Sequence, residues 1–523
     1  MTPPAAASTP PSHADSRAAT AAATAPDSGP DYDLLVVGGG INGAAIARDA
    51  AGRGLRTLLV EQDDLASHTS SASSKLIHGG LRYLEYYEFG LVRKALRERE
   101  VMLRSAPHLI RPLRFVVPHD PSMRPLWLLR AGLFLYDHLA RRELLPDSEA
   151  LNLTRHPAGA ALQPRFTRGF AYSDARVDDA RLVVLNALDA HERGATVRTR
   201  TRVVAATRGA GGWGVTLRDQ TSGQEEPVRA RALVNAAGPW VDALRQDTLK
   251  VASRHRIRLI RGSHVVVPRL VDHDHAYLFQ NPDGRILFAL PFEGDFTVLG
   301  TTDVEQSAPA AAPITPDETA YLCAMASRWL RQPATPAQVC WTYSGVRALL
   351  DDAASSAAAV TRDYLLELDT AGAPVLTVFG GKITTARALA EEALVRIAGA
   401  LPGRAARAAW TATAPLPGGD LPGADFDAFH ADLGARYPWV EPELLRRWAH
   451  AYGTRVERLL AGARRRADLG EALAPGLHRV EVDYLRAHEW ARAPDDFLWR
   501  RTRLGLHLSA AARAAGAARL ATT

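Results

Sequence analysis

Apolar and polar positions change period several times along the chain, and each change predicts an element. Asp33-Leu-Leu-Val-Val37 is a short apolar run with β-branched residues, closed by glycines. An alanine-rich helical stretch follows to Arg53, and Arg56-Thr-Leu-Leu-Val-Glu61 reads as the next strand. The order is β-turn-α-β. Residues 85–105 read as a charged helix. Residues 194–240 alternate short β patterns with turns and end in the apolar strand Ala232-Leu-Val-Asn-Ala236. Between 255 and 305 the pattern is again β-rich, over Arg256–Val267, Tyr277–Gln280, Arg285–Leu290 and Phe296–Thr301, and Asp317–Arg331 predicts one helix on that sheet. After Pro415-Leu-Pro-Gly-Gly-Asp420 the pattern is helical to the end, with Pro442 and Pro494 as first-turn prolines and Thr454 and Ser509 as N-caps. No internal repeat is evident. Residues 1–30 are Ala, Pro, Ser and Thr with a single basic residue, Arg17, and predict a disordered tail without the charged and apolar regions of a secretory signal.

Residues 124–142 carry a different pattern. On a helical wheel Leu126, Leu129, Leu133, Tyr136 and Ala140 share one face, with Leu128, Leu135 and Leu139 beside it. Arg124, Arg130, His138, Arg141 and Arg142 take the other, with Trp127 and Phe134 among them. A basic amphipathic helix with boundary aromatics fits a lipid interface, and it equally fits a helix packing its apolar side on a domain core.

Length and composition narrow the class. A chain of 523 residues is too long for one core and implies two or three domains. A hydrophobic share of 47% with 23% charged residues excludes a collagenous, coiled-coil or wholly disordered chain. No run of eighteen apolar residues exists, so no helix is expected to span a bilayer. Two cysteines, Cys323 and Cys340, exclude a disulfide scaffold, fit a reducing compartment and read as core thiols. The net charge of +6 admits an acidic partner without choosing one. No basic cluster typical of nucleic-acid arms appears, so no nucleic-acid partner is expected. Of 63 basic residues only Lys75, Lys94, Lys250 and Lys382 are lysines, which draws attention to each of them.

The chemistry begins at Gly38-Gly39-Gly40-Ile41-Asn42-Gly43, which fits G-x-G-x-x-G after a strand and before a helix. Glu61 ends the next strand, 23 residues after Gly38. Gly38 makes the tight turn, Gly40 admits a pyrophosphate to the backbone, and the helix N-terminus offers amides and a positive dipole end. Glu61 can accept from a ribose. The unit binds an adenine dinucleotide and does not separate NAD from FAD. The polar loop Thr69-Ser-Ser-Ala-Ser-Ser-Lys75 follows, running into Leu76-Ile-His-Gly-Gly-Leu-Arg-Tyr83.

That stretch resembles the FAD-dependent glycerol-3-phosphate dehydrogenases of aerobic bacteria. The resemblance resumes at Tyr172-Ser-Asp-Ala-Arg-Val-Asp-Asp-Ala-Arg181, Asn235-Ala-Ala-Gly-Pro-Trp240, Arg261-Gly-Ser-His264 and Gly300-Thr-Thr-Asp303. It continues through Thr342-Tyr-Ser-Gly-Val-Arg347, Thr361-Arg-Asp-Tyr364 and Phe379-Gly-Gly-Lys-Ile-Thr-Thr385, and covers residues 31 to about 505. It implies oxidation of sn-glycerol 3-phosphate at C2 to dihydroxyacetone phosphate, with electrons passing through FAD to a ubiquinone-type acceptor in the membrane. The fold implied is α/β. An FAD-binding Rossmann-like domain spans 31–250 and 373–404, an antiparallel-sheet substrate domain 251–372, and a helical C-terminal domain 415–523, for which dimer contact and site lid are both open.

The resemblance also assigns residues. The FAD cradle would be Gly38, Gly40, Asn42, Gly43, Glu61, Thr69, Ser70, Ser71, Ser74, Lys75, Leu76, His78, Gly79, Val204, Gly238, Gly381 and Thr384. Thr384 and Thr385 would open a helix whose N-terminus faces the flavin. The phosphate clamp would be Arg82, Tyr83, Arg347, Arg362 and Lys382, since a dianion wants convergent cations. His264 would take the C2 hydroxyl proton, with His78 next and Arg347 and Lys382 as catalytic helpers. His273 and His275 in Asp272-His-Asp-His275 read as a solvated turn, and no metal is assigned. Residues 124–142 would hold the protein on an anionic membrane, from the cytoplasmic side. Glycerol-3-phosphate oxidase with O₂ as acceptor, an amino-acid oxidase-like flavoenzyme and a non-catalytic flavin protein are the alternatives.

Overall fold

The computed structural model describes residues 30–121, 124–351 and 363–522. The tail expected at 1–30 falls almost wholly outside these, as does Arg362 of the expected clamp.

The described residues form two large sheets and a mainly helical C-terminal domain that carries a two-stranded sheet, Ala472–Ala474 with Leu477–His478. In the first sheet Tyr32–Val37 lies between Glu225–Asn235 and Thr57–Val60, all parallel. Thr196–Arg198 extends one side and Val375–Gly380 the other, again parallel, while Tyr364–Asp369 closes the latter edge antiparallel. The central strand alternates. Leu34 and Val36 face a core with helices Ile41–Gly52, Asp179–Glu192 and Ala386–Ile397. Leu35 and Val37 face the hairpin Thr201–Gly209/Gly212–Asp219, against Trp213 and Val215. The strand is therefore apolar from Leu34 to Val37, as both faces of a parallel sheet are covered.

The second sheet has ten strands. Its middle runs Ile257–Pro268, Phe296–Gly300, Ile286–Phe292 and Ala276–Gln280, close to the expected strands. It does not stop at 251–372. Ile110–Pro118, Arg168–Val177, Glu149–Asn152 and Leu76–Ile77 join it, and Ala276–Gln280 pairs parallel with Ile110–Pro118. The boundary expected at 251 therefore does not follow the sheets, and the sheet is mixed rather than purely antiparallel. The physical reason is that the crossover after Thr57–Val60 detours through the second sheet before Asp179–Glu192 returns the chain to the first. Tyr364–Asp369, expected in the substrate domain, belongs to the first sheet. Helix Pro316–Ser327 packs Leu322, Cys323 and Ala326 on the second sheet, and its N-cap Thr315 forms a capping box with Glu318.

The charged helix runs Phe89–Ser105, four residues short of its expected start because Leu81–Tyr86 winds as a 3₁₀ turn. Leu126–His138 is a helix, and the stripe assigned to its apolar face lies against the protein. Leu133, Tyr136 and Ala140 are buried, and Leu126, Leu129 and Leu139 are half-buried on the second sheet. Tyr136 Oη donates to Asp174 and accepts from the Gly79 amide, which fixes that face inward. Trp127 and Phe134 are 71% and 57% exposed, with Leu128 and Leu135 beside them. No described helix is long and apolar enough to cross a membrane.

The C-terminal domain packs helices Phe426–Arg436, Pro442–Tyr452 and Arg479–Glu489 around Trp448, Tyr452, Leu485 and Phe497. Pro442 sits in a first turn, and Ser509 Oγ caps the Ala512 amide. Thr454 is not a cap; its hydroxyl donates to Asp420. Cys323 is a core thiol, whereas Cys340 is exposed and donates to the Val266 carbonyl.

Candidate active site

A cavity of about 390 Å³ opens at the carboxyl ends of the first sheet's strands and runs under the edge of the second. Open α/β sheets place ligands at this edge.

One end is built almost wholly from backbone. Gly38 takes φ +113, and a Cβ there would lie 2.4 Å from the Ala236 carbonyl oxygen. A Cβ on Gly43 would lie 1.9 Å from the Gly38 oxygen, so the turn closes only with glycine at both positions. Gly40 lines the cavity at the N-terminus of Ile41–Gly52, where a Cβ would meet only Ser70 Oγ, at 3.1 Å. Glu61 accepts from the Gly39 amide at 2.6 Å and from the Asp63 amide at 2.9 Å. Burial nevertheless pushes its carboxyl up. Asn42 holds the Gly380 carbonyl at 3.2 Å, and its Oδ1 is buried with no hydrogen-bond partner among the described residues.

The other end is built from side chains on several elements. His264, 1% exposed, lies in strand Ile257–Pro268, with Nε2 at 2.9 Å from Ser74 Oγ. Its ring stacks on Tyr343, centroids 4.6 Å apart. Burial, then the cations Arg347 and Lys75, hold its pKa well below the ordinary imidazole range. Gly300 is the room His264 needs, since a Cβ there would lie 2.1 Å from the ring. Arg347, on the neighbouring strand, donates to Asp303 Oδ1 at 2.7 Å and Thr301 Oγ1 at 3.1 Å. Lys382 precedes the turn Ile383–Thr385, with Nζ 4.9 Å from the Tyr83 ring centroid. His78 is held by burial at a pKa of about 4.

Most of the expected residues come together here. Gly38, Gly40, Asn42, Glu61, Thr69, Ser70, Ser74, Leu76, His78, Tyr83, Gly238, Arg347, Gly381 and Lys382 line the cavity. His264 reaches it through Ser74. Others stand behind the wall. Gly43 packs on Gly38, Thr384 Oγ1 accepts from the His78 amide at 3.4 Å, and the Gly79 amide is taken by Tyr136. Ser71 hydrogen-bonds the His68 carbonyl. Three expectations need correction. Val203 lines the cavity, in succession with Thr201 and Arg202, and Val204 does not. Lys75 points away, its ammonium 2.9 Å from Asp179. Arg82 turns outward to Tyr86 Oη and the Gly284 carbonyl, 3.3 Å each. Ser73, Trp240, Gly345, Val346, Ala348 and Leu349 line the cavity without having been singled out. Ser73, Trp240, Gly345 and Val346 fall inside motifs already noted, whereas Ala348 and Leu349 follow directly on one. His273 hydrogen-bonds Tyr277.

Comparison with known proteins adds to this geometry. A family described as "FAD dependent oxidoreductase" matches residues 33–387, and "C-terminal domain of alpha-glycerophosphate oxidase" matches 409–521. A Pseudomonas aeruginosa protein named glycerol-3-phosphate dehydrogenase is 54% identical over 91% of this chain and 93% of its own. The chain belongs to the FAD-dependent glycerol-3-phosphate dehydrogenase family. The aerobic glycerol-3-phosphate dehydrogenase of Escherichia coli is 49% identical over 91% of this chain and 95% of its own. A Brucella abortus protein named D-erythritol 1-phosphate dehydrogenase is also 49% identical, over 92% and 96%. The structure of a Bacillus halodurans glycerol-3-phosphate dehydrogenase complexed with FAD superposes with a TM-score of 0.70 at 27% identity, covering 94% of each chain.

FAD is the cofactor of this flavoprotein family, and the residues fit it. The glycine turn leaves backbone open to a pyrophosphate, Glu61 stands at the strand end where a ribose is met, and the buried Asn42 Oδ1 still has an acceptor to offer.

Proposed function

We propose that this enzyme oxidises sn-glycerol 3-phosphate at C2 to dihydroxyacetone phosphate and hands the electrons to a ubiquinone-type acceptor in the membrane. The observation that carries the reading is one cavity joining a dinucleotide turn to Arg347, Lys382 and Tyr83, with His264 reached through Ser74. FAD, when bound, supplies the two-electron acceptor. The chain's own groups do the rest. Arg347 and Lys382 neutralise the phosphate dianion, and Asp303 fixes the plane of the Arg347 guanidinium. Burial and the cations Arg347 and Lys75 favour the neutral, base form of the His264 imidazole, at the cost of weaker basicity. Ser74 orients Nε2 and relays the C2 hydroxyl proton to it.

The acceptor reading places the protein on the cytoplasmic face of the membrane, because a quinone is lipid-soluble. The exposed residues Trp127, Leu128, Phe134 and Leu135, flanked by the exposed Arg130 and Arg141, support contact with anionic lipid.

The test is anaerobic addition of glycerol 3-phosphate to the holoenzyme. Bleaching of flavin absorbance is expected, with recovery faster on a ubiquinone analogue than on O₂. An unchanged spectrum refutes the substrate, and faster recovery on O₂ makes the enzyme an oxidase. D-erythritol 1-phosphate belongs in the same assay, and a higher kcat/KM for it would move the substrate to the longer polyol phosphate.

A further inference from the structure

Residues 496–503 of the C-terminal domain pack behind the cofactor-binding wall. Asp496–Arg501 is a π-helical turn. Arg500 and Arg501 donate to Asp64 at 2.7 and 2.8 Å, two residues before Ala66 in the cavity lining. Arg503 follows in a left-handed conformation, φ +55, that non-glycine residues hold only when their surroundings enforce it. Three carboxylates do so. Its guanidinium donates to Asp178 at 2.7 Å, Asp179 at 2.9 Å and Glu293 at 2.9 Å.

Asp179 links this arginine to the active site. It is fully buried, and it also accepts from Lys75 Nζ at 2.9 and 3.0 Å, from Ser73 Oγ at 2.7 Å and from the Ser73 amide at 3.2 Å. Lys75 in turn donates to the Ser71 carbonyl at 2.8 Å and lies 4.7 Å from the Tyr343 centroid, on the ring that stacks against His264. Ser74, inside this fastened loop, is the residue on His264 Nε2. One carboxylate therefore pins loop 71–75 from behind, held by a cation from another domain. A buried carboxylate between two cations keeps its place only while both remain.

We infer that Arg503 is a positioning residue for flavin reduction: through Asp179 it fixes loop 71–75 and so keeps Ser74 on His264. The C-terminal domain thereby completes a site it does not line. The inference rests on the reading of His264 as proton acceptor.

Rapid-mixing anaerobic reduction by glycerol 3-phosphate separates this role from simple domain docking. Arg503→Met should keep its FAD and its apparent substrate Kd within about threefold, while the limiting reduction rate falls about tenfold to a hundredfold, the scale of a small misplacement of reacting groups. Arg503→Lys should restore most of the rate. Arg458→Ala, which breaks the interdomain contact with Glu192 (3.0 Å) remote from the cavity lining, should leave the rate unchanged. If Arg503→Met fails to fold or to hold FAD, Ser73→Ala removes the Asp179 contact from the loop side and should lower the same rate. A limiting rate within about twofold of wild type in Arg503→Met, or in Ser73→Ala where that variant stands in, overturns the inference. So does a parallel fall in Arg503→Met and Arg458→Ala without rescue by lysine. Wild-type flavin that stays oxidised overturns the substrate reading and this inference with it; bleaching wild type beside an unaffected Arg503→Met overturns this inference alone.

Discussion

The two ends of the cavity are made by different means. The dinucleotide end is built around one strand-turn-helix unit, residues 32–52, whose glycine turn closes on backbone oxygens of Gly38 and Ala236. The substrate end draws Ser74 and Tyr83, His264, Arg347 and Lys382 from four separate stretches of chain. There each group is a side chain held by another side chain: Arg347 by Asp303, His264 by Ser74 and Tyr343. A site made of backbone tolerates no added atom and fails all at once. A site made of supported side chains loses its function in steps, because each support can be removed separately.

The largest effect should therefore come from a single methyl group at the dinucleotide end. Gly43→Ala sets a Cβ 1.9 Å from a backbone oxygen that cannot swing away, and the purified protein should carry essentially no FAD by its absorbance. Gly90→Ala, with nothing within 4 Å of the added Cβ, should stay fully yellow. If Gly43→Ala retained flavin, the contrast between the two ends would collapse.

At the substrate end the steps should be graded. His264→Ala should slow flavin reduction by about 10²–10⁴-fold, the usual contribution of a positioned base, while substrate binding changes far less. An unchanged rate would pass the role to His78. The pH profile sharpens the point. Because burial lowers the His264 pKa well below its ordinary value, protonation sets in only at lower pH, and reduction at saturating substrate should show no acid limb near pH 6.5. A limb there would mean an imidazole in contact with water. Arg347→Ala should raise KM about tenfold to a hundredfold, the loss of one charge-assisted bond to a buried dianion, about 1.5–3 kcal/mol. Normal KM in both Arg347→Ala and Lys382→Ala would locate the clamp elsewhere.

The same division explains what the sequence made legible. The strand-turn-helix at 33–53 and Glu61 could be read directly, because glycine spacing and apolar period encode that unit locally. The central strands of the second sheet were legible by alternation too. Their membership was not: Ile110–Pro118 and Arg168–Val177 join a sheet whose middle starts at Ile257, far along the chain, and no local pattern announces that pairing. The clamp and base were found through motif resemblance rather than residue chemistry, since one arginine among 59 carries little by itself. Lys75 shows the limit. Its rarity draws attention to it and the resemblance assigns it to the cofactor, yet Asp179, from a motif already quoted, draws its ammonium away from the cavity.

The smallest expected effect lies outside both ends, on helix Leu126–His138. Its apolar stripe is spent on the second sheet, so any lipid contact rests on the opposite side: Trp127, Leu128, Phe134 and Leu135, with Arg130 and Arg141 exposed nearby. Arg124 is partly offset by Glu85 at 3.3 Å and the exposed Arg141 by Glu143 at 3.2 Å, and Arg142 is tied to Asp137 at 2.8 Å, which weakens the cationic face that the helical wheel suggested. Each cation near an anionic surface contributes about 1 kcal/mol, and that contribution fades within a Debye length. Arg130→Glu with Arg141→Glu should then lower binding to anionic vesicles by roughly tenfold or more at low salt, and by less at high salt, while leaving anaerobic flavin reduction untouched. Trp127→Ala with Phe134→Ala should weaken binding at every salt concentration, because burying aromatic area does not depend on ionic strength. Flotation indifferent to salt, lipid charge and all four replacements would remove this helix from the membrane contact and shift weight toward O₂ as the acceptor.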